Sequence, residues 1–152
     1  MPTLVFPSLV RDQVLEQHVE LRRLLVRAIA ETAPEPSAPR SVDWAQLAIT
    51  TRELCARFRA HLAFENEELA RVLSALDTWG PERVRALHDE HALQLSALGL
   101  LLAKLEEGCH ADELALHLRE LATRLTRDMD EEEAGCLSES SMSAHVLPCE
   151  RC

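Results

Sequence analysis

Residues 61–69, HLAFENEEL, look like the outer surface of a helix, but two of them fall on an apolar stripe. Residues three or four positions apart share one face of an α-helix. On that basis His61 and Glu65 lie on the same face as Phe58 and Val72, among residues suited to a core. The stretch therefore predicts a helix that directs an imidazole and a carboxylate into the protein interior.

The composition of the whole chain favours helices. Apolar residues make up 47% of the 152 residues but aromatic residues only 3%, and tyrosine is absent. Leu, Ala, Arg and Glu dominate, and all four are good helix formers. A chain of this length is expected to form one domain with a sizeable core. The predicted fold class is all-α.

Charge and apolar run length exclude several classes of partner. The formal net charge is −10, which repels nucleic acid backbones and anionic lipid surfaces. The longest apolar run, Leu98–Ala103, is far too short to cross a bilayer. The N-terminus lacks a secretion signal pattern, and five cysteines do not make a secreted disulfide scaffold. We therefore expect a cytoplasmic protein that binds neither nucleic acid nor membranes.

Four helical segments are separated by short joints rich in proline or glycine. Asp43 is a plausible N-cap that forms a capping box with Gln46 three residues on, and Gly108 is placed to end the third helix. The predicted segments run from about 8 to 31, from 43 to 76 or 77, from 81 to 107, and from 111 or 112 to 134 or 137. Short joints favour an antiparallel, up-down-up-down four-helix bundle over residues 1–137. Residues 138–152 have no helical period and are predicted to form a flexible tail.

Each predicted apolar stripe is interrupted by side chains that can bind metal: His18, His61, Glu65, His91, Asp128 and Glu132. A single histidine on such a face is more often a hydrogen-bonded core residue, and a Glu run is usually a solvated helix end. Three carboxylates directed at one core are harder to accommodate, because burying an unpaired carboxylate is very costly. No lysine or arginine interrupts the stripes to neutralise them. A metal centre satisfies both facts; a metal-free bundle with water-bridged polar groups is the alternative.

The spacing suits a dinuclear site. Side chains at i and i+4 lie about 6 Å apart, so His61 and Glu65 can reach two adjacent ions, and Asp128 and Glu132 repeat this arrangement. His18 and His91 each add one imidazole. Mixed imidazole and carboxylate ligands suit iron or manganese better than an ion that prefers thiolates. Six ligands over two ions leave positions open for water, O₂ or peroxide.

Four stretches in this order resemble the hemerythrin-like (HHE cation-binding) domain family: LEQHVELRRLL, HLAFENEEL, LHDEHALQL and DMDEEEAGCL. The resemblance covers about residues 8–137. It implies a four-helix bundle holding two non-haem iron ions, with iron favoured over manganese or zinc. Family roles include O₂ binding, sensing of oxygen, redox state or iron, and handling of peroxide or nitric oxide.

The chain departs from the family pattern at the fourth element, where Asp128 replaces a histidine. The added negative charge is expected to favour the ferric state and lower the reduction potential. His88 could approach the site from the flank of the third helix, and Glu133 competes with Glu132 as a ligand. His110 and His117 are interpreted as structural or exposed.

The cysteines divide into two groups. Cys55 and Cys109 fit small apolar or joint positions. In the predicted tail, His145, Cys149 and Cys152 form an HxxxCxxC pattern, with Cys136 upstream. This pattern is compatible with a redox pair, half of a metal site, a docking element for a protein partner, or inert thiols.

The functional hypothesis is a di-iron protein that binds or reduces O₂, peroxide or nitric oxide, or senses oxygen, redox or iron state. Oxidase or peroxidase activity is left open. The alternative is a metal-stabilised binding or regulatory module without turnover, with the tail as a docking, redox or metal-transfer element. Apolar walls around the site would admit a nonpolar gas and restrict water; the residues expected there are Leu21, Leu25, Phe58, Phe64, Leu95 and Leu125.

Overall fold

The computed structural model describes residues 4–33, 42–76, 78–142 and 147–148. Within these ranges the chain forms a bundle of four helical rods. The rods are α1 (Pro7–Glu31), α2 (Trp44–Phe64) continuing through a π-helical turn (Glu65–Leu69) into α3 (Ala70–Leu76), α4 (Gly80–Glu107) and α5 (Ala111–Ala134). Helix α1 packs against α2 and α5, and α4 packs against α2, α3 and α5. The all-helical prediction and its four segments are confirmed.

Asp43 and Gly108 cap helix ends at the positions where the sequence predicts them. The Asp43 carboxylate accepts a hydrogen bond from the backbone N–H of Gln46 at 3.0 Å. The Gln46 side chain donates instead to Thr50, so only one half of a capping box forms. Gly108 ends α4 in the left-handed conformation, with a φ of 76° that a side chain would resist.

A single π-helical turn interrupts the second rod at Glu65–Leu69. Such turns insert one extra residue into a helix and are frequent at functional sites. Here the turn begins at Glu65, and both Glu65 and Leu69 are buried. The buried face of the rod continues in α3 with Ala70, Val72 and Leu73.

The core consists of two apolar clusters with a polar layer between them. The larger cluster contains residues of α1, α2, α4 and α5, including Leu25, Phe58 and Leu125. The smaller one contains Val10, Val14, Leu69, Val72, Leu73, Leu137 and Met142. Along α1, His18 lies between Val14 and Leu21, which belong to different clusters. The polar interruptions of the stripes are thus gathered into one layer.

Helix α4 is rotated relative to its predicted stripe. Leu95 was expected to line the site, but it is 40% exposed, whereas Gln94 is completely buried. Phe64, another expected wall residue, is only half-buried. Neighbouring residues on a helix differ by about 100° in direction, so a modest rotation of α4 exchanges Leu95 for Gln94. The prediction for Leu95 is wrong for this reason.

The chain beyond α5 packs partly against the bundle. Residues 138–142 form turns, and Met142 is 2% exposed within the smaller cluster. Five residues after Met142, β2 (Leu147–Pro148) begins and pairs antiparallel with β1 (Leu4–Val5). These contacts differ from the expectation of a flexible tail from residue 138. His145, Cys149 and Cys152 lie outside the described residues.

Close packing also fixes the joint between α3 and α4. A Cβ atom added at Gly80 would lie 2.1 Å from the Leu73 carbonyl oxygen, so only glycine permits this approach. None of the helices in the described ranges is both long enough and apolar enough to span a bilayer.

Candidate metal centre

Five of the six predicted ligands are buried in the polar layer. His18 comes from α1, His61 from α2, Glu65 from the π-helical turn, His91 from α4 and Glu132 from α5. Each is less than 10% exposed, and His18 and Glu65 are completely buried. The sixth, Asp128 on α5, is half-buried. Side chains from all four rods therefore converge on one region.

Glu65 lies at the centre of this group. Its Oε2 is 3.1 Å from Nε2 of His91 and 3.5 Å from Nε2 of His61. Its Oε1 is 3.8 Å from Nε2 of His18, and the same nitrogen is 3.3 Å from Oε2 of Glu132. One carboxylate thus faces three imidazoles that come from three different rods.

Four of these side chains are close enough to share an ion. One ligand atom each from His18, His61, Glu65 and Glu132 lies within 4.8 Å of the other three. His91 is not one of these four residues, but its Nε2 lies beside Oε2 of Glu65. Asp128 on α5 is held by the Nε2 of Gln94, which donates to Asp128 Oδ2. The arrangement has a compact four-residue part and a second part that contains His91 and Asp128.

Each inward-facing imidazole is held from outside by an oxygen atom. The Nδ1 of His61 donates to Oε1 of Gln17 at 2.8 Å, and the Nδ1 of His91 donates to Oδ1 of Asn66 at 2.7 Å. His18 Nδ1 donates to Glu133 at 2.8 Å. A proton on Nδ1 leaves the Nε2 lone pair of a neutral imidazole directed inward, as a metal ligand requires.

These outer partners were not predicted from the sequence, except that Glu133 was singled out as a competing ligand. Gln17 and Asn66 lie next to His18 and Glu65 in the chain, on the flanks of the stripes rather than on them. The sequence feature that points to them is an oxygen-bearing side chain next to a histidine or glutamate of the stripe. Gln94 was missed because Leu95 was placed on the buried face in its stead.

The charges in the layer perturb one another. Burial lowers the pKa of His61 to about 4. Burial also disfavours a charged His18, but the carboxylates of Glu132 and Glu65 outweigh it and raise its pKa to about 9. Burial by itself would raise the pKa of Glu65, but the neighbouring imidazoles outweigh burial and lower that pKa to about 2. Burial raises the pKa of Glu132 to about 7. Without a metal, positive charge on His18 balances the buried carboxylates.

The unpaired atoms of the layer fit a cation. Nε2 of His18, Nε2 of His91 and both oxygens of Glu65 are buried and make no hydrogen bond. A buried polar atom without a partner costs about 1–3 kcal/mol, and more when it is charged. These four atoms are nitrogen and oxygen donors suited to iron or a similar ion. Cations bound in the layer would give these atoms partners.

The sequence profile of the hemerythrin HHE cation-binding domain matches residues 9–138. The chain belongs to the hemerythrin HHE cation-binding family. The match spans all four rods and every residue of the polar layer, and the metal of this family is typically iron. No curated protein and no solved structure matches the chain.

The other described histidines of this hemerythrin-type domain, His88, His110 and His117, lie away from the polar layer. His88 is exposed on α4, so it is not placed to approach the site from the flank. His110 is exposed at the N-cap of α5. His117 lies half-buried on α5, within 4.0 Å of Glu113 and 3.8 Å of Glu120.

The described cysteines are free thiols. Cys55 is buried in the larger cluster, and burial raises its pKa to about 11. Cys136 packs against the smaller cluster, and burial raises its pKa to about 12. Both are therefore protonated at neutral pH, as expected of packed thiols rather than metal ligands.

Proposed function

We propose that this hemerythrin-family domain holds two non-haem iron ions and uses them to bind or reduce O₂, peroxide or nitric oxide, or to sense oxygen, redox or iron state. The observation that carries the proposal is the convergence of three Nε2 atoms on Glu65, whose two buried oxygens have no hydrogen bond. Without a metal, the Glu65 carboxylate and the Nε2 atoms of His18 and His91 make only ion-pair contacts at 3.1 to 3.8 Å and no hydrogen bond.

The proposed ligands divide between two positions. His18, His61 and Glu132 form the first position together with Glu65. His91 and Asp128 belong to the second position, which shares Glu65 with the first. The hydrogen bond from Gln94 occupies Oδ2 of Asp128 and so holds this carboxylate at the edge of the layer.

Iron, when bound, supplies one-electron redox steps and an open coordination position for a diatomic ligand. The surrounding side chains determine what can reach it. Leu21, Leu25, Phe58 and Leu125 are each no more than 2% exposed, and they form an apolar wall beside the layer. Such a wall favours a small nonpolar gas over water and ions.

We also infer that the four rods run antiparallel, as an up-down-up-down bundle. The order of contacts between α1 and α5 supports this arrangement. Arg11 donates to the carbonyl of Leu137, three residues after the end of α5, and Arg22, three turns later on α1, donates to Asp130 within α5. The contacts follow opposite chain directions in the two helices.

A regulatory module without turnover is the second candidate, and one contact favours it. The Leu137 backbone N–H donates to the Glu132 carbonyl at 2.8 Å, so the segment after α5 is bonded to a proposed ligand residue. Met142 continues this segment into the smaller cluster. A change in metal occupancy could thereby be transmitted to the C-terminal segment, which would act as the docking element.

Metal analysis of Glu65→Ala tests the centre itself. Wild-type protein from iron-replete cells should contain close to two irons per chain, and Glu65→Ala should lose the dinuclear centre. Glu68→Ala is the matched control: Glu68 lies on the same turn but pairs with Arg71 at 2.9 Å, so its metal content should be unchanged. Two irons retained in Glu65→Ala would refute the proposal.

Optical spectroscopy separates the two candidates. An oxidised di-iron centre should absorb in the visible range, and the absorption should bleach on reduction. Return of the absorption in air, with consumption of O₂ or peroxide over many cycles, would support the redox function. Iron-dependent stability without such consumption would support the regulatory module, and zinc in place of iron would refute the iron assignment.

A further inference from the structure

One oxygen of Glu133 connects a proposed metal ligand to an arginine. Glu133 Oε1 accepts a hydrogen bond from His18 Nδ1 at 2.8 Å. The same oxygen accepts a second hydrogen bond from Nη1 of Arg22 at 2.7 Å. Arg22 lies one helical turn after His18 on α1, and Glu133 follows Glu132 on α5. The three groups form a chain from the polar layer to the surface.

The arginine is fixed rather than free to turn away. Its second terminal nitrogen, Nη2, donates to Asp130 at 2.7 Å. The guanidinium therefore spans two carboxylates one turn apart on α5, and its planar shape sets its position relative to both. His61 and His91 are held instead by the neutral amides of Gln17 and Asn66. His18 is the one of the three inward-facing imidazoles whose outer partner carries charge.

We propose that Arg22 is a positioning residue that acts through Glu133 to limit the negative charge donated to His18, and so raises the reduction potential of the metal centre. This inference rests on the proposed function of the site. A carboxylate bonded to Nδ1 increases the basicity of a ligand imidazole, which favours the more highly charged metal ion. The guanidinium draws charge away from the shared oxygen and opposes that effect.

Coupling through the Glu133 oxygen and simple charge proximity predict different effects of a second substitution. If Arg22 acts through the Glu133 oxygen, its influence should disappear once Glu133 carries no charge. If it acts only through space, its influence should persist. The difference is a coupling between two substitutions, which a double-mutant cycle isolates.

The test is redox titration of four iron-loaded proteins: wild type, Arg22→Met, Glu133→Gln and the double variant. Arg22→Met should increase the preference for ferric over ferrous iron about tenfold relative to wild type. Its reduction potential should therefore be about 59 mV lower for a one-electron step. Glu133→Gln should shift the potential upward. In that background, adding Arg22→Met should produce less than a third of its original shift. Equal shifts in both backgrounds, or no shift for Arg22→Met alone, would overturn the inference.

Arg27→Met provides the matched control, because Arg27 lies on the same helix and pairs with Glu31 at 2.9 Å. Its potential should equal that of wild type, and a shift as large as that of Arg22→Met would count against the inference. If Arg22→Met does not fold, Arg22→Lys replaces it. A lysine keeps the positive charge beside Glu133, so the potential should fall by less than half of the about 59 mV expected for Arg22→Met. A fall of the full amount would contradict the role of charge.

A measurement without metal separates this inference from the proposed function. In metal-free protein, the resonance of the proton shared by His18 Nδ1 and Glu133 should move downfield in Arg22→Met, because the unpaired carboxylate becomes the stronger acceptor. Arg27→Met should leave it in place. Absence of iron from wild-type protein would refute the proposed centre, whereas an unmoved resonance in Arg22→Met would refute the coupling.

Discussion

The strongest test of metal binding in the polar layer is the substitution Glu65→Gln, which preserves the volume of the side chain and removes its charge. Glu65 is completely buried, and its oxygens lie 3.1 to 3.8 Å from three imidazole nitrogens. No other carboxylate among the described residues faces all three histidines, so both proposed metal positions depend on it. An amide is a much poorer ligand for a hard cation than a carboxylate is.

The size of the effect follows from binding linkage. Free metal at a thousand times its dissociation constant stabilises the folded chain by about 4 kcal/mol per site. Loss of an outer partner of a ligand already weakens metal affinity about 10- to 100-fold, so loss of a shared direct ligand should cost at least about 100-fold. The metal-dependent stabilisation then falls to about 1.4 kcal/mol. For a chain of this size, about 1 kcal/mol corresponds to about 2–4 °C in Tm.

The assay is thermal unfolding of anaerobic protein with and without ferrous iron, comparing the rise in Tm that iron causes within each variant. Wild type should gain about 8–16 °C from one site, and Glu65→Gln should lose most of that gain. Comparing each variant with its own metal-free form removes any effect of the substitution on the metal-free fold. Glu68→Gln should keep the full gain. A full gain in Glu65→Gln, or its loss in Glu68→Gln, would refute the assignment of Glu65 as the shared ligand.

Four further substitutions test other parts of the structure. Asp128→His should raise the reduction potential in a redox titration, because a neutral ligand replaces a charged one; an unchanged potential would mean that Asp128 does not bind metal. Phe58→Ala should lower the free energy of unfolding by about 3–5 kcal/mol in urea, since Phe58 is 1% exposed and its ring packs against a metal-layer histidine. Met142→Ala should cost about 2 kcal/mol in the same assay, and no cost would show that the segment after α5 does not pack on the bundle in solution. Gly108→Ala should cost about 1 kcal/mol because of its φ of 76°, whereas a neutral result would place the end of α4 in another conformation.

The limits of the sequence prediction are clearest at the end of α5. The helical period placed both Asp128 and Glu132 on the inward face, and it left Glu133 as a competitor. The structure buries Glu132 beside His18 and directs Glu133 to the opposite ring nitrogen of the same histidine. Sequence spacing cannot separate the two, because consecutive residues differ by one step of about 100° and the orientation of α5 depends on its neighbours.

Helix α4 shows the same limit. The repeat of leucines placed Leu95 on the buried stripe, but packing turns α4 so that Gln94 enters the core and hydrogen-bonds to Asp128. His88, one turn before His91, is correspondingly exposed. The π-helical turn at Glu65 was not predicted either, because helix propensity and apolar period do not distinguish one π-helical turn from the α-helix around it.

The sequence by itself determined the four helices, their ends and the six polar side chains that interrupt the apolar stripes, because the period and caps of a helix are local properties. Only the tertiary structure decided how far each helix rotates about its axis. That rotation makes Glu65 the common neighbour of three imidazoles, and it brings Gln17, Asn66 and Glu133 to the outer nitrogens of the rings. These contacts join residues far apart in the chain, and they depend on four apolar faces packing together at once.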